Sequence, residues 1–138
     1  MNDEDFMKLA IEEAKKGYRP FGAIVVKDNK IIVRTHNTAT SDPTAHAETN
    51  AIREACNILK TRDLSGCTLY ASCEPCAMCF TAALWARISK IVFGAYAKDV
   101  PEDGWKLGVD CSYLNNKSGN RIEIKSGVLR EESLKLFQ

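Results

Sequence analysis

Four side chains in two short motifs can together hold a metal ion and move a proton. The first motif contains His46 and Glu48, and the second contains Cys76 and Cys79 directly after Pro75. One imidazole and two thiolates are typical zinc ligands, and three protein ligands leave a fourth position open for water, as in catalytic sites. The two motifs therefore predict a zinc ion bound by His46, Cys76 and Cys79.

We predict that Glu48 carries protons and is not a metal ligand. Zinc lowers the pKa of bound water toward about 7, which makes hydroxide available at neutral pH. When hydroxide attacks an amino-substituted ring carbon, the water must lose a proton and the leaving ammonia must gain one. A single carboxylate beside the metal can serve both transfers. The alternative is a zinc ion that only stabilises a binding module, but such a site has no use for a non-ligating carboxylate.

The first motif is predicted to lie at the start of a helix. Asp42 is a favourable N-cap, and Pro43 is favourable at the first helical position. Apolar residues then recur at helical spacing, so we predict a helix over about 43–60. His46 and Glu48 would fall in its first turns.

The second motif has the same organisation. Pro75 is predicted to open a helix over 76–85, with Cys76 and Cys79 on one face of its first turn. The positive end of a helix lowers the pKa of a nearby thiol. The start of the helix would therefore favour the thiolate form of both cysteines over the thiol before a metal binds.

The other segments alternate between helical and strand patterns. Residues 100–119 contain proline and glycines and are predicted to form a loop with one short helix. The remaining predicted helices are 3–16 and 129–137, and the predicted strands are 21–26, 31–34, 67–72, 90–94 and 121–125. This order predicts an α/β fold with one mixed sheet between layers of helices, its later strands mostly parallel.

Composition limits the classes of protein that are compatible with the chain. Its 138 residues predict one domain over 1–138. A net charge of +1 gives no general attraction to nucleic acid. We find no apolar run long enough for a membrane span and no signal peptide, so the six cysteines are expected to be reduced thiols in the cytoplasm.

These motifs resemble the cytidine-deaminase-like superfamily, and more closely its branch of guanine deaminases and tRNA adenosine deaminases. The pattern H-x-E…P-C-x-x-C is the zinc deaminase signature. The resemblance implies a three-layer αβα sandwich with a mixed five-stranded sheet, a zinc cofactor and hydrolytic deamination. The residues that carry it are Pro20–Ala23, Asn37, Asp42–Glu48, Leu69–Tyr70, Ser72–Cys79 and Trp85–Arg87.

Within this branch, different segments resemble different enzymes. Phe21, the stretch Ser72–Cys76 and the stretch Trp85–Arg87 resemble guanine deaminases, whereas Asn120–Leu129 resembles the tRNA enzymes. Where guanine deaminases carry acidic residues that meet the purine edge, this chain has Gly104–Leu107. Asp103 or Asp110 could take that role.

The resemblance also implies which residues contact the substrate. Asn37 would read the base edge or the sugar, because an amide both donates and accepts hydrogen bonds. Phe21, Ala47 and Trp85 would form walls against the base, and Trp105 would cover the site from a loop. The alternatives are a turn position for Asn37 and core packing for Phe21 and Trp85.

The expected reaction is deamination of a free base or nucleoside, with guanine giving xanthine and ammonia as the preferred hypothesis. Alternative hypotheses are adenosine-to-inosine editing of tRNA, for which we expect a more basic chain, and deamination of cytosine or a triazine-like ring. No membrane partner is expected. By resemblance we expect a homodimer, with the loop 100–119 or the C-terminal helix near a partner's site.

Overall fold

A mixed sheet of five strands organises the computed structural model, which describes residues 1–101 and 104–138. The strands are β1 (Gly22–Lys27), β2 (Lys30–His36), β3 (Cys67–Cys73), β4 (Lys90–Ala95) and β5 (Glu123–Lys125). The helices are α1 (Asp3–Ala14), α2 (Ala47–Leu59), α3 (Ala77–Trp85), α4 (Cys111–Lys117) and α5 (Arg130–Leu134). Two 3-10 turns, η1 and η2, span Ala97–Asp99 and Lys135–Phe137.

The strand order is β2-β1-β3-β4-β5. The strand β1 is antiparallel to both β2 and β3, whereas β3, β4 and β5 run parallel. Asp28 and Asn29 connect β1 to β2 with φ angles of 51° and 59°, which suit a tight two-residue hairpin turn. The prediction of a mixed sheet with parallel later strands is confirmed.

Alternate residues of the strands face two helical layers. Ala23 and Val25 of β1 belong to the core beneath α2 and α3, together with Phe80. Ile24 and Val26 face the opposite way and pack with the apolar side of α1. The sheet is therefore covered on both faces, and the predicted three-layer αβα architecture is confirmed.

The helix α1 crosses close to the beginning of β1. A side chain at Gly22 would collide with the main chain of α1 at Ala10, so glycine is required by this approach. Glu13 on the same helix is buried and accepts hydrogen bonds from Arg34 and His36 of β2. These contacts fix the end of β2, where the predicted substrate-side residues begin.

The predicted start of the first motif helix is wrong. The helix α2 begins at Ala47, with His46 as its N-cap. The Asp42 carboxylate accepts hydrogen bonds from the main-chain N–H and the hydroxyl of Thr44, at 2.9 and 2.7 Å. Asp42 and Pro43 therefore form a separate turn before the helix, because an aspartate side chain can satisfy local N–H groups in a turn as well as at a helix start.

Differences elsewhere are confined to the ends of elements. The helix α1 ends two residues before its predicted end, β5 begins at Glu123, and the C-terminal helix is divided into α5 and η2. The predicted short helix within 100–119 is α4. Among the described residues, no helix is both long and apolar enough to cross a membrane.

Candidate metal centre and active site

His46, Cys76 and Cys79 form a compact group of potential metal ligands. The His46 Nδ1 atom lies 3.7 Å from Cys76 Sγ and 3.6 Å from Cys79 Sγ. All three ligand atoms lie within 4.8 Å of one another. Ligand atoms held about 2.0–2.3 Å from a tetrahedral zinc ion are about 3.5–3.8 Å apart. The donor types and their spacing therefore fit zinc, which confirms the predicted cofactor.

Two helix N-termini bring these ligands together. His46 and Cys76 are the N-caps of α2 and α3, both with extended main-chain angles, and neither side chain caps its helix. An N-cap side chain normally accepts a hydrogen bond from the first turn. Because both side chains are released from that role, they can face each other and Cys79. The sequence analysis placed His46 and Cys76 inside the helices, whereas each immediately precedes its helix.

The two thiols differ in acidity because they share hydrogen bonds. A hydrogen bond from the Cys79 thiol, with a further one from His46, lowers the pKa of Cys76 to about 4. The contact with the Cys76 sulfur raises the pKa of Cys79. The hydrogen bond to Cys76 also raises the pKa of His46. These groups thus share protons that a metal ion would displace on binding.

Glu48 is the second residue of α2 and lies at the same site. Only 7% of its surface is exposed. Burial, followed by the negative charge of Cys76, raises the pKa of Glu48 to about 7. A carboxyl group with this pKa exchanges protons readily at neutral pH. Glu48 stands outside the three-ligand group, which suits a proton carrier rather than a ligand.

Asn37 is a buried amide immediately after β2, with 2% of its surface exposed. Its main-chain N–H donates to the Phe21 carbonyl at 3.1 Å, and its carbonyl accepts from the Tyr18 N–H at 3.0 Å. The Asn37 side-chain oxygen accepts a hydrogen bond from the Ala39 N–H at 3.0 Å. Asn37 therefore has the turn role that the sequence analysis gave as the alternative. The hydrogen bond from Ala39 fixes the side-chain oxygen and so orients the amide group.

Asn50 holds the neighbours of Asn37 against α2. Its amide donates to the His36 carbonyl and to the Thr38 hydroxyl, each at 3.0 Å. The Thr38 N–H also donates to the Ala45 carbonyl at 3.0 Å. Asn37 therefore lies beside the N-terminus of α2. The sequence analysis missed Asn50, although an amide four residues after His46, one helical turn further on, is a signal that could have identified it.

Ala47 and Phe21 are placed on the same side of the molecule as Asn37. Ala47 is fully buried, and its carbonyl accepts a hydrogen bond from the Thr35 hydroxyl at 2.7 Å. The Phe21 ring is half-buried, and its centroid lies 6.0 Å from that of Phe137. The C-terminal η2 turn therefore packs beside this predicted substrate wall.

The structure does not bring Trp85 to this group. Trp85 ends α3 and is 71% exposed, nine residues beyond Cys76. With a rise of about 1.5 Å per residue, it lies about 13 Å along the helix from that ligand. Trp105, between η1 and α4, is 92% exposed. Trp85 therefore lies at the surface of the chain rather than in a wall beside the metal group, and Trp105 is exposed on its loop.

Asp110 has a structural task in this protein. It is the N-cap of α4, and its carboxylate accepts a hydrogen bond from the Tyr113 N–H at 2.8 Å. The other candidate for the purine edge, Asp103, lies outside the described residues.

Comparisons with known proteins agree with this geometry. Residues 1–95 match the sequence model of the cytidine and deoxycytidylate deaminase zinc-binding region. The guanine deaminase of Bacillus subtilis is 46% identical over 112 residues, covering 76% of this chain and 72% of that protein. The tRNA-specific adenosine deaminase of the same species is 41% identical over 136 residues, covering 94% and 83%. The solved structure of a guanine deaminase from Nitrosomonas europaea has a TM-score of 0.82 at 29% identity, covering 97% and 81%.

Proposed function

Because the chain belongs to the cytidine and deoxycytidylate deaminase zinc-binding family, we propose that it hydrolyses guanine to xanthine and ammonia. Hydrolytic deamination is the chemistry of its relatives, and both a base and a tRNA nucleoside occur among their substrates. The observation that carries the choice of a free base is the buried amide of Asn37, joined by a main-chain hydrogen bond to Phe21 beside α2. An amide next to an aromatic ring suits a small planar heterocycle.

The residues of the metal group have separate tasks in this reaction. His46, Cys76 and Cys79 would hold zinc, which supplies the Lewis acidity that makes a water molecule acidic at neutral pH. Glu48 accepts a proton from that water and gives it to the departing amino nitrogen. A carboxylate at this place can serve both transfers, as general acid–base catalysis requires.

We assign the substrate contacts to residues near the N-terminus of α2. Asn37 reads a polar edge of the base, while Phe21 and Ala47 form the adjacent wall. Trp105 remains a candidate for covering the base from its loop. Trp85 is reassigned to a contact with a second copy of the chain, because it lies at the far end of α3.

A substrate panel tests this function. Ammonia release from the zinc-loaded protein would be measured with guanine, guanosine, adenine, adenosine, cytosine and a triazine, and inosine formation with an adenosine-containing anticodon stem-loop. We expect the highest kcat/KM with guanine. Asn37→Ala should raise KM for guanine by about five- to 150-fold, since a base edge left unpaired costs about 1–3 kcal/mol. An inert guanine with an edited stem-loop would overturn the proposal.

Editing of tRNA is the second candidate function. The similarity to a tRNA-specific adenosine deaminase over 94% of this chain favours it. The net charge of +1 counts against it, because proteins that bind RNA must neutralise phosphates. Salt dependence separates the two candidates: turnover of a neutral base should change little between 50 and 200 mM salt, whereas stem-loop binding should weaken strongly.

We further propose a homodimer in the cytoplasm. Ile58 at the end of α2 and Trp85 at the end of α3 are both more than half exposed. Trp85 and Cys56 of α2 line one shallow cavity, so the ends of these two helices form one surface that a second copy can cover. All six cysteines are free thiols, as expected in a reducing compartment.

A further inference from the structure

The carboxylate of Glu74 binds two main-chain amides that are distant in sequence. One oxygen accepts from the Ala97 N–H at 3.0 Å, and the other accepts from the Cys111 N–H at 2.8 Å. Ala97 begins η1 and Cys111 begins α4. Glu74 therefore binds both ends of the segment that begins at Ala97 and ends at Cys111, one end with each carboxylate oxygen.

Glu74 is itself fixed beside the metal ligands. It follows the last residue of β3, and its N–H donates to the Ala95 carbonyl at the end of β4, at 2.8 Å. Pro75 comes next and Cys76 follows it. The Cys111 thiol also donates to the Pro75 carbonyl at 3.4 Å. The metal-binding loop and the start of α4 are thus joined twice.

This arrangement requires two acceptors on one side chain. An ionised carboxylate has two oxygens and forms stronger hydrogen bonds than a neutral amide does. A glutamine at this position could accept from only one N–H and would turn its own NH₂ group toward the other. Ala97 follows the carboxyl end of β4, and the bond to Glu74 holds Cys111 beside the carboxyl end of β3, at the edge of the sheet where α/β proteins place their ligands.

We propose that Glu74 is a positioning residue that fixes Ala97 and Cys111 against the metal-binding loop. The η1 turn and the start of α4 thereby keep their position relative to Cys76. Glu74 is not one of the three potential metal ligands, and it acts through the main chain. Its effect on substrate binding rests on the proposed function, because KM is measured with the substrate assigned there.

The experiment compares Glu74→Gln and Glu74→Asp with a matched control. Asp63 also accepts a main-chain N–H, that of Ser65 at 3.0 Å, but lies in an exposed loop before β3. Asp63→Asn therefore makes the same chemical change away from the site. For each variant we would measure zinc per chain, kcat and KM well below the unfolding temperature, and amide hydrogen exchange at Ala97 and Cys111.

We expect Glu74→Gln to retain one zinc per chain, raise KM about tenfold and speed exchange at one of the two amides. Glu74→Asp keeps the charge but shortens the side chain by about 1.5 Å, so it should also raise KM. Asp63→Asn should match wild type in every measurement. A merely stabilising contact would lower the unfolding temperature and leave KM unchanged.

Three results would overturn the inference. The first is unchanged KM and unchanged exchange at both amides in Glu74→Gln. The second is a normal Glu74→Asp beside an impaired Glu74→Gln, because charge rather than contact would then matter. The third is loss of zinc from Glu74→Gln. If wild type deaminates none of the tested bases, the proposed function fails, while amide exchange still decides whether Glu74 anchors both segments. Should Glu74→Gln not fold, Glu74→Asp carries the test.

Discussion

At the scale of single residues, the proton chemistry we propose depends on a carboxyl group that the fold removes from water. Glu48 sits at the beginning of α2, beside Cys76 and Cys79. Burial disfavours its charged form, and the nearby thiolate adds repulsion, so its pKa rises to about 7. The same group can therefore accept a proton early in the reaction and donate it later.

Replacing this carboxyl group should separate catalysis from folding. Glu48→Gln keeps the size and burial of the side chain but cannot accept a proton. We expect kcat to fall at least about a hundredfold with zinc content unchanged, because general acid–base catalysis contributes at least that much. Glu54→Gln, an exposed position on the same helix, is the control and should retain full activity. An active Glu48→Gln would assign the proton transfer to another group.

The metal ligands can be distinguished from a nearby cysteine. Cys76→Ala should lose zinc and much of the protein's stability, because metal binding and folding are coupled. The Cys73 thiol instead lies 3.8 Å from the Tyr96 carbonyl, outside the ligand group. Cys73→Ala should therefore keep one zinc per chain. Metal analysis of both purified variants checks this. Zinc loss from Cys73→Ala would show that Cys73 is itself a metal ligand.

The grouping of His46, Cys76 and Cys79 could be predicted because these residues belong to two short local motifs. The exposed position of Trp85 could not, because an indole at helical spacing looks the same whether the helix end faces a pocket or solvent. The helix-capping role of Asp110 could not be predicted for a similar reason. Whether an aspartate caps a helix or faces a ligand depends on where the preceding loop places that helix.

At the scale of elements, the site depends on where helices begin. His46 and Cys76 occupy equivalent N-cap positions with φ near −70° and ψ near 160–174°. The sequence predicted both helices and the five strands along the chain, because apolar periodicity extends over many residues. It misplaced the start of α2 because Asp42 satisfies Thr44 in a turn, and one proline cannot distinguish that turn from a helix start.

The contact between α1 and β2 should contribute measurably to stability. Glu13 is buried and accepts hydrogen bonds from Lys16, Arg34 and His36. Glu13→Gln should lower the free energy of unfolding by about 2 kcal/mol at pH 7, because hydrogen bonds to charged groups contribute about 1.5–3 kcal/mol. Urea unfolding of the two proteins measures this difference. Glu12→Gln, at the exposed neighbouring carboxyl, should change stability little.

The difference between wild type and Glu13→Gln should depend on pH. Burial opposes ionisation of Glu13, but the hydrogen bonds from His36 and Lys16 outweigh it, so the pKa lies below its usual value of 4.5. The stabilisation is therefore complete above that value and is lost as the pH falls through the folded-state pKa. A difference that grew in acid would contradict this assignment.

At the scale of the whole molecule, the apolar surface at the ends of α2 and α3 predicts self-association. Trp85→Glu places a charge in the centre of this surface, so we expect a wild-type dimer and a monomeric variant. Light scattering at micromolar concentration gives both masses. Ile31→Thr changes a partly exposed apolar residue on β2 and should remain dimeric. A wild-type protein that is monomeric and fully active would refute the dimer.

The position of β2 also bears on how the protein avoids ordered aggregation. Within the described part of the chain, β2 pairs with β1 on one side and has no strand on the other. Such an edge can template pairing with another molecule. Lys30 and Arg34 are exposed along it, and Glu13 holds Arg34 and His36 in place. Antiparallel pairing of two β2 edges in the register that sets Lys30 opposite Arg34 would bring like charges together, so the contacts that hold Arg34 also make this edge a poorer site for fibril growth in that register.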